Sequence, residues 1–205
     1  MKTKDRILQA ALRQFNTLGT DQATVRSIAE EVGISHGNLC YHYKNTDELI
    51  EALYFQLVAE AAPMAEQAFD QSVSFDTVWH QSWSTFQLLY RYRFLFLDFA
   101  RIIRRIESMK QNFRQLMALR RQQFRTGLQQ LVLNGWMRPE PTEGCYDHLI
   151  TNWLIIGNHW ITESALKFDQ VGPPIVQYYH RAGMAMFVPH LTEKGLQAYE
   201  RLSHE

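Results

Sequence analysis

Apolar residues recur along the chain at steps of three and four. No stretch of useful length alternates with the two-residue period of a half-buried strand, so the pattern predicts an all-α protein. Ile7, Leu8, Ala11, Leu12, Phe15 and Leu18 stripe a first helix, with Thr3 as its expected cap and Gly19 as its stop. Thr24 opens a short second helix through Val25, Ile28, Ala29 and Val32 that ends at Gly33, and Ser35 opens a third, shorter still. Thr46, followed by Asp47 and Glu48, starts a long fourth helix that Pro63 is expected to kink or end. Beyond it the pattern predicts a fifth helix around Phe75 to Phe86, a sixth over Phe94 to Ile106 and a seventh from Phe113 to the glycine at 135. An eighth runs from a Thr142 cap to about Phe168, a ninth from Pro173 towards Pro189, and a tail helix follows a Thr192 cap.

Residues 24 to 43, TVRSIAEEVGISHGNLCYHY, place two short capped helices around a glycine turn. Ala29 allows the helices to approach, Gly33 allows the turn, and Ile34 and Leu39 pack the second helix on the first. That is the arrangement of a helix-turn-helix, whose second helix carries its N-terminal polar residues into the major groove. Those residues are Ser35, His36, Gly37 and Asn38, short or neutral hydrogen-bonding types suited to base edges or phosphates. The shift beyond Pro63 towards large aromatics and arginine separates a three-helix DNA-binding module, residues 1–58, from a larger helical domain, residues 59–205.

The same residues resemble the TetR family of bacterial transcriptional regulators. Thr24, Ala29, Gly33, Gly37, Leu39, Tyr41, His42, Tyr43, Lys44, Asp47, Glu48 and Leu49 fall on its pattern, and the resemblance is strong over about the first 58 residues. It implies that Thr24, Tyr41, His42 and Lys44 hold phosphates while Ser35, His36, Gly37 and Asn38 face bases. It also implies a homodimer on double-stranded DNA, with the closing pair of long helices forming the dimer interface around a ligand cavity. Cys40, His36 and Thr46 depart from the pattern, standing where an aromatic, a basic residue and a second lysine are usual.

Charge complicates that picture. The chain has 21 basic and 21 acidic residues, and residues 1–58 carry a net −1, although DNA affinity rests largely on phosphate neutralisation. Residues 91 to 125, in contrast, hold ten basic residues against Asp98 and Glu107. That run is open to three readings: pairing with an anionic effector, extra phosphate contacts if its start lies beside the DNA-binding module, or solvated faces of two amphipathic helices.

Trp79, Trp83, Phe86, Trp153, His159 and Trp160 are the candidate lining of a pocket for a small, mostly apolar effector, with an acidic one as a variant; at helical spacing the same stripe also reads as plain core. The polar Asn152 and His159 would orient the ligand. The near-continuous apolar circumference of the eighth helix, with Gly157, Ala182, Gly183 and Ala185, suits close helix packing across a dimer axis. Cys145 with His148, and His159 with Glu163, have one-turn spacing but lack a third ligand, so no metal is expected, and nothing calls for a cofactor. No nucleophile elbow, phosphate-binding glycine loop or paired-carboxylate site points to an enzyme. Two distant cysteines, no secretory signature and no apolar run long enough for a bilayer predict a cytoplasmic protein without a membrane partner. The reading is therefore a dimeric repressor on a pseudo-palindromic operator, released by a small effector. Its alternatives are a DNA binder of the same fold controlled by a partner protein, and a helical enzyme or ligand carrier.

Overall fold

The computed structural model describes residues 2–67, 72–169 and 172–204, with residues 65–67 described by backbone alone. Among them there are only helices, turns and one isolated antiparallel bridge, Met137 to Leu191. The chain folds as two units, the first made of Met1–Ala59 with Arg91–Asn112, and the second of Glu60–Tyr90 with Phe113–Glu205.

In the first unit α1 (Thr3–Leu18), α2 (Val25–Val32) and α3 (His36–His42) form the three-helix module. Lys2 rather than Thr3 holds the cap position of α1; its backbone N–H donates to the Asp5 carboxylate at 3.1 Å. The beginning of α4 (Thr46–Gln67) packs beneath, and Ile7, Ala11, Phe15, Ile28, Leu39, Leu49, Ile50 and Leu53 are buried together as the core. The cap of α4 is Asn45, whose side-chain oxygen accepts from the Glu48 N–H at 3.0 Å, and not Thr46. Pro63 lies inside α4 and does not end it; lacking an N–H, it leaves the Ala59 carbonyl without its helical donor.

The predicted sixth helix is two helices, α6 (Arg93–Leu97) and α7 (Phe99–Arg105), broken at Asp98. Asp98 leaves the helical region at φ −132°, ψ 20°, its carboxylate is taken by Arg101, and its carbonyl accepts from the N–H groups of Arg101 and Ile102. A short acidic side chain that bonds to its own surroundings competes with helix propagation. Both helices pack on the module. Phe94 meets Phe15 at 5.0 Å, and Asn16 donates to the Arg91 carbonyl at 2.8 Å while accepting from the Phe94 N–H at 3.1 Å. Ser108 and Asn112, at the start of α8 (Glu107–Leu133), bond to Glu51 and to the Tyr54 hydroxyl of α4.

The second unit contains the end of α4, α5 (Phe75–Arg91), the rest of α8, α9 (Cys145–Lys167), α10 (Pro173–Ala185) and α11 (Glu193–Ser203). Gly144, not Thr142, precedes α9 as its cap residue, and Thr192 caps α11 by accepting from the Gly195 N–H. Gly183 of α10 sits against the Trp153 ring of α9, so close that a Cβ there would lie 2.9 Å from it. This glycine therefore serves packing within one chain.

Candidate nucleic-acid interface

The turn that sets α3 in place is built by local hydrogen bonds. Thr24 Oγ1 accepts from the Ser27 N–H and Ser27 Oγ accepts from the Thr24 N–H, both at 3.1 Å, so two donors at the start of α2 are satisfied reciprocally. At its other end Gly33 adopts φ 73°, a left-handed turn that glycine enters without strain, and the Ile34 N–H reaches back to the Ala29 carbonyl at 3.0 Å. Ser35 Oγ then accepts from the Asn38 N–H at 3.1 Å and starts α3. From α1, Gln14 bonds to Ser27 and Glu31, Arg13 pairs with Glu31 at 2.7 Å, and Arg6 donates to the Val32 carbonyl at 2.5 Å. These contacts tie α1 to both ends of α2.

On α3 only Leu39 is buried, and it anchors the helix. Its other side presents His36, Gly37 and Asn38, all exposed, and Tyr41, which is 85% exposed. Ser35 and Thr24 are exposed at the two helix starts, His42 is half-buried with its ring edge-on to Tyr41, and Lys44 is exposed just beyond α3, its N–H held by Glu48 at 2.8 Å. Cys40 is half-buried, with Sγ 3.4 Å from His36 Nε2 one turn away. A Cβ at Gly37 would meet nothing within 4 Å, and its φ is not positive. The fold itself sets no requirement for glycine there.

The aromatic candidates divide differently. Trp79, Phe86, Trp153 and Trp160 are buried and Trp83 half-buried, with Phe86 stacked on Trp160 at 5.4 Å and 6.0 Å from Trp153. His159 and Asn152 are exposed and do not join them. The histidine among these rings is His180, which the sequence reading missed. It is 2% exposed, with its ring 4.9 Å from Trp79 and 5.5 Å from Phe86, and its Nε2 lies 2.8 Å from Ser82 Oγ. Burial lowers its pKa to about 4. A signal for it existed, because Val176, Tyr179, His180, Gly183 and Met184 form one buried face of α10 at helical spacing. Two buried polar atoms here, Trp160 Nε1 and Tyr179 OH, have no hydrogen-bond partner among the described residues, on rings 5.6 Å apart.

The arginine run is split between the units. In the second unit Arg120 donates to the Ala61 carbonyl, Arg121 to Thr151 and the Asp147 carbonyl, and Arg125 pairs with Asp147. All three are engaged by polar groups of α4 and α9 outside the aromatic cluster. No described helix is long and apolar enough to cross a membrane.

Residues 7–53 match the family model of bacterial regulatory proteins of the tetR family, and residues 55–199 match the TetR model of bacterial transcriptional repressors. The chain belongs to the TetR family. The tetracycline repressor protein class A from transposon 1721 of Escherichia coli is 35% identical over 54 residues, 26% of this chain and 25% of that repressor. The chain thus matches about a quarter of that relative's length. A TetR-family transcriptional regulator from Marinobacter aquaeolei VT8 has a TM-score of 0.86 at 22% identity, covering 98% of this chain and 99% of that one. A gamma-butyrolactone receptor, described as ArpA-like, has a TM-score of 0.71 at 12% identity, covering 98% and 94%. These structural likenesses extend the TetR fold over nearly the whole chain.

Proposed function

We propose that this TetR-family chain is a homodimeric repressor whose α3 helices read successive major grooves of a pseudo-palindromic operator, and that a small effector releases it. The observation that carries the reading is α3 itself, a helix fixed by Ser35, Gly33 and buried Leu39 that turns His36, Gly37, Asn38 and Tyr41 outward. An exposed glycine with no role in the fold leaves room for close approach of a base edge or phosphate. Ser35, His36, Gly37 and Asn38 are assigned to bases, and Thr24, Tyr41, His42 and Lys44 to phosphates, with residues 1–58 as the DNA-binding domain.

Residues 59–205, apart from the stretch Arg91–Asn112 that folds with the first unit, serve dimerisation and effector binding. Exposed apolar side chains on α9 and α10, Ile155, Leu166 and Tyr178, offer a surface that a second copy would cover, beside a shallow hollow of about 420 Å³ lined by Pro174, Gln177, Tyr178, Arg181 and Ala182. The effector is assigned to Trp79, Trp83, Phe86, Trp153 and Trp160, with His180 taking the place foreseen for His159. A neutral, mostly apolar molecule with a carbonyl or hydroxyl group suits this site better than an acid. Trp160 Nε1 and Tyr179 OH, without partners among the described residues, offer hydrogen bonds, whereas Arg120, Arg121 and Arg125 of the basic run are engaged by polar groups of α4 and α9. A repressor released by such a molecule acts by population shift, limited by the effector's differential affinity for the two subunit arrangements.

Binding titrations over randomised operators at several salt concentrations test the assignment. Asn38→Ala is expected to change the preferred sequence, and Lys44→Ala to weaken all sequences alike and flatten the salt slope by about one. Two variants that both lowered affinity uniformly would remove Asn38 from the groove.

A further inference from the structure

The three-helix module is short of positive charge, and the structure supplies that charge from outside it. Residues 1–59 carry a net −1, but the unit they belong to includes Arg91–Asn112 and carries twelve basic against nine acidic residues, a net +3. The cationic residues of α7 are not scattered. Ile102 is fully buried, while Arg101, Arg104 and Arg105, at one-turn spacing, share the outward side.

Two of them reach acidic residues next to the assigned phosphate contacts. Arg101 donates to Asp21 at 2.6 Å and to Thr20 Oγ1 at 2.9 Å, in the loop that leads into Thr24. Arg105 pairs with Asp47 at 2.7 Å in the first turn of α4, three residues beyond Lys44. Asp21 is 70% and Asp47 40% exposed, so each would otherwise repel an approaching phosphate. Ion pairs this exposed stabilise a fold little. Their carboxylates stand three residues from Thr24 and from Lys44 in the chain, where an unpaired negative charge opposes a phosphate. Between Arg101 and Arg105 in the helix stands Arg104, exposed, with its Nε donating to the Ala100 carbonyl at 2.9 Å and its other guanidinium nitrogens without a partner among the described residues.

We infer that α7 is the electrostatic half of the DNA-binding surface: Arg105 neutralises Asp47; Arg101, shared between Asp98 and Asp21, offsets part of the Asp21 charge; and Arg104 itself contacts the DNA backbone. The inference rests on the DNA-binding reading above and extends it to residues beyond the helix-turn-helix. It also chooses, for the start of the arginine run, the phosphate reading over the effector and solvent readings.

The contribution is independent of sequence, so a mixed-sequence DNA duplex is the probe, with the full chain titrated at several salt concentrations. Arg104→Gln is expected to make the log–log salt slope shallower by about 0.9, the value for one phosphate contact, and Arg104→Lys to restore it. Arg105→Gln is expected to weaken binding, and the double variant with Asp47→Asn to recover most of the loss, because the exposed carboxylate is then gone. Arg125→Gln, which removes an equal charge from the second unit, should leave the slope at the wild-type value. Unchanged thermal melting of each variant shows that the differences arise at the DNA. If the wild type retains salt-dependent binding and Arg104→Gln has the same slope as Arg125→Gln, this inference fails alone. If the wild type shows no salt-dependent binding, the DNA-binding reading fails and takes the inference with it.

Discussion

Acidification from pH 6.5 to about 4 is expected to cost the second unit about 3 kcal/mol of stability through His180 alone. The imidazole is buried among Trp79, Trp83 and Phe86, and its pKa falls from 6.5 to about 4, chiefly because burial disfavours the charged form; Arg181 and His80 push it the same way. Below pH 6.5 the unfolded chain takes up a proton that the folded chain refuses until about pH 4. Stability is therefore fully present above 6.5, declines through that window and loses nothing further from this group below it. Urea unfolding followed by tryptophan fluorescence, with wild type and His180→Gln compared at each pH, measures it. The advantage of the wild type over the variant should shrink by about 3 kcal/mol between the two ends of the window. A constant difference would show that His180 does not titrate in that range.

Leu39→Ala should destabilise the first unit by about 2–5 kcal/mol and abolish sequence-selective DNA binding. Leu39 is fully buried and is the sole buried residue of the seven in α3, so its removal leaves a cavity under a helix with no second anchor. The hydrogen bonds at Ser35 and Gly33 set where α3 begins, but they do not hold its far end against the module. Chemical denaturation gives the stability loss, and binding to the operator selected by the wild type gives the functional one. A variant that lost stability yet kept wild-type sequence preference would mean that α3 stays in place without Leu39.

The parts of the molecule legible in the sequence are those fixed by neighbours in the chain. Thr24, Gly33 and Ser35 act within four residues of themselves, so the helix-turn-helix could be read from their spacing and is found there. Boundaries moved where a competing local bond intervened, as at Asp98, which divides one apolar stripe into α6 and α7, or where a neighbour proved the better cap, as Asn45 did beside Thr46. What the sequence concealed depends on distant partners. The attachment of α6 to the module runs through Asn16, whose partners Arg91 and Phe94 lie 75 and 78 residues away, and no periodicity signals such a contact. His159 and His180 illustrate the same limit. Both sit in apolar helices, and the choice between them is made by which helix face meets Trp79 and Phe86.

Footprinting of the full chain on the DNA upstream of its own coding sequence, at low and at moderate salt, tests the central claim most directly. The account predicts two protected blocks about one helical turn apart, or a multiple of it, related by an approximate inverted repeat and fading as salt rises. Protection that spreads evenly with no preferred site, or no protection at low salt, would contradict it.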